Sequence, residues 1–349
     1  MRIASVGRAL PRHYYPQSRL TAYLQRVYAA RPSVATRLQS LHESVLVRGR
    51  HLALPIEAYD ELTDFTRCND AWIAAATDLG EAAVGQALAK AGLAPADVDV
   101  IFFSTVTGLA SPSIDARLAN RMGFRPDLKR VPMFGLGCVA GAAAVSRAAD
   151  YVRAFPRQVA VVLTVELCSL TLQRDDPSVA NLISTGLFGD GACAAVVLGA
   201  EHPRAAGPQV LATRSVFYPD TEDAMGWRIG TQGFGIVLSP AVPTIARERL
   251  GGDVEGFLAD HGLARRDVAR WICHPGGPKV LQALQDALGL GADDLAVSWR
   301  NLAEVGNLSS ASVLLVLGDT LDTAPPPGSH GVMLAMGPGF CSELLLLRW

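Results

Sequence analysis

The chain has 349 residues, half of them hydrophobic and 18% charged, with a formal net charge of -2 from 31 Lys and Arg against 33 Asp and Glu. That is enough apolar material for one large core or two closely packed ones, and the near balance of charge, with no long basic run and no acidic tail, argues against a nucleic-acid surface as the main partner. The apolar runs Val159 to Thr164, Ala192 to Leu198 and Val313 to Leu317 are too short to cross a bilayer, which takes roughly 20 residues.

In chain order, MRIASVGRALP lacks a basic region followed by an uninterrupted apolar stretch, so it reads as a first strand rather than a signal peptide, and a cytoplasmic location is expected. Leu20 to Ala30 and Ala35 to Ser44 carry helical spacing. Arg48, Gly49, Arg50 and His51 follow them, read as a solvated basic face from which an arginine could meet a ligand phosphate. Ala71 to Ala91 predicts a long helix, Val100 to Ser104 a buried strand and Pro112 to Met122 another helix.

The stretch RVPMFGLGCVAGAAAVSR, Arg130 to Arg147, organises the chain. Val131 to Phe134 read as the end of a buried strand, Gly135 and Gly137 permit a tight turn, and Val139 to Ala154 read as a helix that starts with very small residues. Cys138 therefore stands at a strand-to-helix elbow, where the positive end of the helix dipole favours a thiolate. The other cysteines, at 68, 168, 193, 273 and 341, form no CxxC pair, so neither a disulfide framework nor a metal site is expected, and Cys138 needs partners to be a nucleophile.

Strand Val159 to Val165 runs into Glu166, Leu167 and Cys168, and Gly189-Asp190-Gly191 marks a turn or strand entry just after Phe188, an aromatic placed to line a cavity near Cys138. A second half begins near residue 216, giving halves 1-215 and 216-349. It holds the glycine-punctuated stretch Gly226 to Gly235, helices Ala241 to Leu250 and Gly252 to His261, and strand Arg270 to Cys273 ending at His274. Helix Lys279 to Leu288 comes next, then a second elbow at Val305-Gly306-Asn307 before an apolar helix, and finally strands Gly331 to Met336 and Phe340 to Leu347. Both halves alternate helices with continuous apolar strands, which predicts a pseudo-duplicated α/β architecture with its site at the junction.

Cys138, His274 and Asn307 each sit on a loop fixed by glycine or proline, the kind of position that presents side chains into a cavity. A thiolate beside an imidazolium accepts an acyl group, and His and Asn can hold a developing enolate or oxyanion. The order Cys, His, Asn is shared by papain-like proteases, and a cysteine hydrolase is the alternative from another class, but those enzymes place Cys-Gly-Ser-Cys-Trp near the mature N-terminus whereas GLGCVAG lies mid-chain.

GLGCVAGA, LFGDGA, HPGGPK, GNLSSAS and GPGF, in this order, resemble the type III polyketide synthases, the chalcone and stilbene synthase superfamily. The resemblance implies a thiolase-like five-layer αβαβα fold of two similar halves, a homodimer, and decarboxylative Claisen condensation of an acyl-CoA with malonyl-CoA. Cys138 would carry the acyl group and His274 and Asn307 would hold the malonyl thioester carbonyl, with no metal, redox cofactor or carrier arm. It further implies gate residues at Phe188 and Phe234 and CoA contacts at Lys279 and Arg37.

Within the family, TVTGLASPSIDARL, VELCSLT and AMGPGFCSELLLLRW resemble bacterial synthases of long-chain alkylpyrones and alkylresorcinols, with Thr107, Ala110 and Cys168 at the positions that open an acyl tunnel and Ser111 where plant enzymes carry methionine. In the stilbene-type aldol network a hydroxyl residue joins a glutamate and a serine. Here Glu166 and Ser309 match, but the hydroxyl position is Val106, which cannot relay a proton, so the expected product is an alkyl-α-pyrone and the alternative an alkylresorcinol or a product from another starter.

Overall fold

Strands that are apolar on both faces need a covering layer on each side. The computed structural model, which describes residues 1–349, supplies those layers in duplicate. The first half comprises β1 (Arg2–Ala9), α1 (Gln17–Val27) and α2 (Pro32–Ser44) between the paired short strands β2 (His13–Pro16) and β3 (Gly49–Leu52), then α3 (Phe65–Ala91), β4 (Val100–Ser104), α4 (Ile114–Met122), β5 (Lys129–Met133), α5 (Ala140–Ala154), β6 (Val159–Leu167), α6 (Val179–Leu187) and β7 (Asp190–Leu198). The second comprises β8 (Gln209–Phe217), the hairpin of β9 (Met225–Gly230) and β10 (Gly233–Leu238), α7 (Val242–Ala259), β11 (Val268–Cys273), α8 (Pro278–Leu288), α9 (Ala296–Val305), α10 (Ser310–Asp322), β12 (His330–Gly337) and β13 (Cys341–Arg348).

The large sheet has the order β11-β12-β13-β8-β1-β7-β6-β4-β5, but β1 and β8 meet only where Arg2 faces Gln209. It is thus two sheets joined at a corner. Side-chain alternation shows what covers them: on β4, Val100 and Phe102 point into a core shared with α5 and α10, while Ile101 and Phe103 point into one shared with α3. On β12, Met333 and Ala335 enter the same central core, while Val332 and Leu334 face α7 and α8. The order of layers is helix, sheet, α5 with α10, sheet, helix, the expected αβαβα arrangement. No helix is long and apolar enough to cross a membrane.

Some expectations need correction. β8 runs across the 215/216 boundary and pairs with β13 over its length, which places it in the second half. β5 is not the end of a buried strand but the uncovered edge of its sheet, with Val131 37% and Phe134 50% exposed. The two helices expected around Gly251 are one, α7, because that glycine is a point of helix contact rather than a break: a Cβ there would lie 2.8 Å from the Ala287 carbonyl oxygen of α8.

Candidate active site

The two central helices approach closely because α5 begins with small residues. A Cβ on Gly141 would lie 2.3 Å from the Ser310 carbonyl oxygen, so the start of α5 is pressed onto the start of α10. Cys138 and Asn307, on the turns just before those helices, are thereby brought to one place. Gly135 and Gly137 take the left-handed backbone at φ 95° and 54°, and the chain-terminal Gly337-Pro338-Gly339 loop closes on the cysteine turn: a Cβ on Gly137 would stand 2.7 Å from Pro338.

Asn307 is fixed from several sides. Its Nδ2 donates to the Gly276 carbonyl at 3.1 Å, and its Oδ1 accepts the Ser309 N–H at 2.7 Å. Its backbone pairs with the Phe188 segment, the Asn307 N–H bonding to Leu187 and its carbonyl accepting from Gly189, both at 2.9 Å. His274, at the end of β11, is anchored by its backbone N–H on the Leu334 carbonyl at 2.9 Å, and it is buried with both ring nitrogens unpartnered. Cys138 Sγ donates to Ser309 Oγ at 3.6 Å.

Burial disfavours charge on the two titratable members of this trio. It pushes the Cys138 thiol up to about 12, against hydrogen bonds from Ser309 and Asn307 that lower it, and it takes His274 down to about 3. Desolvation thus opposes the thiolate–imidazolium pair expected at the helix start and favours the neutral form of each group. A neutral imidazole has one nitrogen to accept a proton and one N–H to donate.

Two cavities flank the site, and Phe188 lines both. The outer one, about 450 Å³, is walled by Val179, Ile183, Leu238, Val242, the loop at Gly276 and the start of α8 at Lys279. The inner one, about 70 Å³, lies among Leu20, Tyr59, Cys168, Trp227 and Phe234, with Arg50 in its wall. The hairpin β9–β10 covers it, holding Phe234 edge-on between Trp227 and Phe65 at centroid separations of 6.0 and 5.7 Å. Lys279 stands in the first turn of α8, where a helix N-terminus favours an anion. Arg37 is exposed on α2, whose far end reaches the outer cavity at Ser44.

Of the three residues assigned to an acyl tunnel, Cys168 lines the inner cavity. Ala110 is partly buried against the core beneath α3. Thr107 is buried and turned elsewhere. Its Oγ1 accepts N–H bonds from Trp72 Nε1 at 3.2 Å and Leu167 at 2.9 Å, which leaves its single proton for Glu166 Oε2 at 2.9 Å.

The Glu166 network thus differs from the sequence expectation at both ends. Val106 contributes its backbone N–H to the carboxylate, at 3.1 Å, while the hydroxyl judged missing is supplied by Thr107, with Thr105 at 3.4 Å. The serine on Glu166 is Ser310, not Ser309. Ser309 adopts a left-handed backbone at φ 48° before α10 starts, and this turns it to Cys138 and hands the carboxylate to its neighbour. Burial raises Glu166 to about 7, against the hydrogen bonds that stabilise its charge.

One residue of the inner cavity wall was placed differently by the sequence. Arg50 was placed on a solvated face, yet it is buried in the inner cavity wall, and only the short apolar flank Leu52 to Leu54 hinted that β3 enters the core.

Residues 1–202 match the N-terminal domain of the chalcone and stilbene synthases and residues 209–349 the C-terminal domain. The chain is 54% identical over 350 residues to a 1,3,6,8-tetrahydroxynaphthalene synthase of Streptomyces peucetius subsp. caesius, covering 99% of this chain and 93% of that one. It is 32% identical over 345 residues to a phloroglucinol synthase of Pseudomonas fluorescens, covering 97% and 96%. The crystal structure of 1,3,6,8-tetrahydroxynaphthalene synthase from Streptomyces coelicolor A3(2), a bacterial type III polyketide synthase, superposes with a TM-score of 0.94 at 31% identity, covering 100% of this chain and 99% of that one. With both of its halves matched and the thiolase-like layers in place, the chain belongs to the chalcone and stilbene synthase family and is a type III polyketide synthase.

Proposed function

We propose that this enzyme builds a poly-β-keto chain from malonyl-CoA on Cys138 and closes it to a polyhydroxylated aromatic carbocycle of the tetrahydroxynaphthalene class. The observation that carries this reading is the complete Thr107–Glu166–Ser310 relay, which supplies the buried base that carbon–carbon ring closure needs. The 54% relative is named for such a product, and a naphthalene bearing oxygen on alternate carbons is what a chain made wholly of two-carbon ketide units yields.

In the proposed cycle His274 takes the Cys138 proton as sulfur attacks the acyl-CoA carbonyl, forming the enzyme thioester and releasing CoA, which recovers the proton. A malonyl-CoA then enters through the outer cavity, with Lys279 and Arg37 toward its phosphates and Phe188 and Phe234 controlling passage inward. Hydrogen bonds from His274 and Asn307 to its thioester carbonyl stabilise the enolate left when the carboxylate departs as CO2. The enolate carbon attacks the Cys138 thioester, a carbon–carbon bond forms, and the cysteine sulfur leaves. The electrons of the broken bond remain in the enolate, so the cycle calls for no metal or redox cofactor.

A long-chain alkylpyrone or alkylresorcinol is the second reading, favoured by Cys168 and the aliphatic side chains of Leu20, Leu24 and Leu172 around the inner cavity. Against it, the aromatic side chains of Tyr23, Tyr59, Trp227 and Phe234 share that lining, and a cavity of about 70 Å³ leaves little room for a long aliphatic chain. Purified enzyme given labelled malonyl-CoA alone should release a labelled aromatic polyol, identified by mass spectrometry. Labelled pyrones or resorcinols that appear only with added acyl-CoA and lengthen with it would establish the second reading, and no malonyl carbon in any product would leave a cysteine hydrolase.

The proposal includes a homodimer. An uncovered edge strand presenting apolar side chains asks for a partner, and β5 with Val131, followed by Phe134, is such an edge. Val131→Lys combined with Phe134→Glu is expected to halve the mass seen by light scattering, and an unchanged dimer mass would place the contact elsewhere.

A further inference from the structure

β3 carries a charge into the protein. Arg50 is 4% exposed, and its side chain lies along the two backbone segments that hold the site: a Cβ on Gly306 would stand 3.1 Å from its Cδ, and one on Gly189 3.6 Å from its Cβ. Nη1 donates to the Phe188 carbonyl at 2.6 Å. That bond uses one of the five guanidinium N–H donors, while Nε is buried without a partner.

No carboxylate closes on the group. Asp190, whose charge it feels, is already committed to the N–H groups of Ala53 at 2.6 Å and Ser169 at 2.8 Å and to the Ser169 hydroxyl. The guanidinium instead forms part of the inner cavity wall, in a polar patch with Tyr59 and Ser169, whose hydroxyls are 2.5 Å apart, while most of the remaining lining is apolar. A buried cation with no ion pair costs folding free energy, and a cavity made only to seat an aliphatic chain has no use for one. What satisfies free N–H donors in an apolar pocket is an arriving oxygen. A CoA diphosphate is a poor match, because Arg50 is the one charged side chain in a lining that is otherwise mostly apolar.

We propose that Arg50 receives the carbonyl or enolate oxygens of the growing β-keto chain once it has passed Phe188, and so selects an oxygen-bearing chain over an aliphatic one of the same length. This rests on the polyketide synthase assignment and deepens it. Because the same guanidinium holds the Phe188 carbonyl, chain recognition and the gate share one residue.

The test compares 3-oxohexanoyl-CoA with hexanoyl-CoA as starters, an equal-length pair differing by one oxygen, each with labelled malonyl-CoA. The wild-type enzyme should prefer the oxo starter about tenfold in kcat/KM, mainly through KM, the factor that one charge-assisted hydrogen bond carries. Arg50→Met should bring the ratio close to one, and hexanoyl transfer to Cys138, followed by intact-protein mass, measures any loss common to both starters, which the ratio cancels. Arg50→Lys, which keeps the charge but not the fork, should restore part of the preference. A wild-type enzyme without preference overturns the proposal even if Arg50→Met does not fold, and so does a folded Arg50→Met that keeps the wild-type ratio. Failure of the synthase assignment looks different: no starter then gains malonyl carbon, whatever stands at position 50.

Discussion

Cys138→Ala is expected to abolish ketide products, by about three orders of magnitude or more, while carboxyl-labelled malonyl-CoA still releases CO2. The separation follows from how the trio is held. Asn307 is positioned by Gly276, Leu187 and Gly189, and His274 by the Leu334 carbonyl, so none of these contacts passes through the sulfur. The enolate-forming half of the reaction should survive the loss of the nucleophile, whereas chain growth has nowhere to rest its thioester. His274→Ala should do the reverse to decarboxylation, since it removes a donor from the enolate oxygen. Mass spectrometry of products beside scintillation counting of CO2 gives both numbers from one incubation. Ketide products that persist in Cys138→Ala would place the nucleophile at another thiol, and Cys168 in the inner cavity wall would be the first to test.

Much of this site was legible in the sequence, because its parts are marked by residues with few structural alternatives. Glycines at 135 and 137 announced the turn under Cys138, the small residues after it announced a close helix contact, and Gly141 makes that contact against Ser310. The continuous apolar strands announced an α/β architecture of two similar halves, because a strand buried on both faces leaves no polar alternation, while the five layers came from the family resemblance. What was not legible depends on single-residue register. Ser309 and Ser310 are adjacent and chemically alike. Only the left-handed turn at Ser309 decides which faces the cysteine and which faces Glu166. Beyond the end of β4 at Ser104 strand alternation stops, so a backbone N–H from Val106 and a hydroxyl from Thr107 converge on one carboxylate oxygen, which no period-two pattern predicts. Arg50 was misplaced for a related reason: in a four-residue strand one buried cation looks like a solvated one, and nothing local reveals that Phe188, far along the chain, supplies its acceptor.

Thr107→Val is expected to redirect ring closure from a carbocyclic aromatic to a lactone, with total malonyl carbon incorporated changed by less than about threefold and the carbocycle-to-pyrone ratio lowered about tenfold or more. Carbon–carbon closure needs a proton removed from a methylene between carbonyls, which calls for a base, whereas lactonisation needs only an enol oxygen and an electrophilic carbonyl. Glu166 is the buried carboxylate of this network, and Thr107 is fixed as its donor because Trp72 and Leu167 occupy the oxygen's acceptor sites. The same geometry warns that valine strands two N–H groups, a loss on the order of 1–3 kcal/mol each in stability, so Thr107→Ser, which keeps the hydroxyl, is the companion variant and should keep the wild-type ratio. The pH dependence has a definite sign. Burial lifts Glu166 to about 7, so below that pH it is protonated and cannot act as base, and above it the carboxylate is available. The wild-type carbocycle-to-pyrone ratio should therefore rise as pH increases through about 7, and in Glu166→Gln it should be low and flat, measured by liquid chromatography of the two products across that range. A ratio indifferent to both pH and Thr107 would take the relay out of ring closure and return it to a purely structural role beneath Ser310.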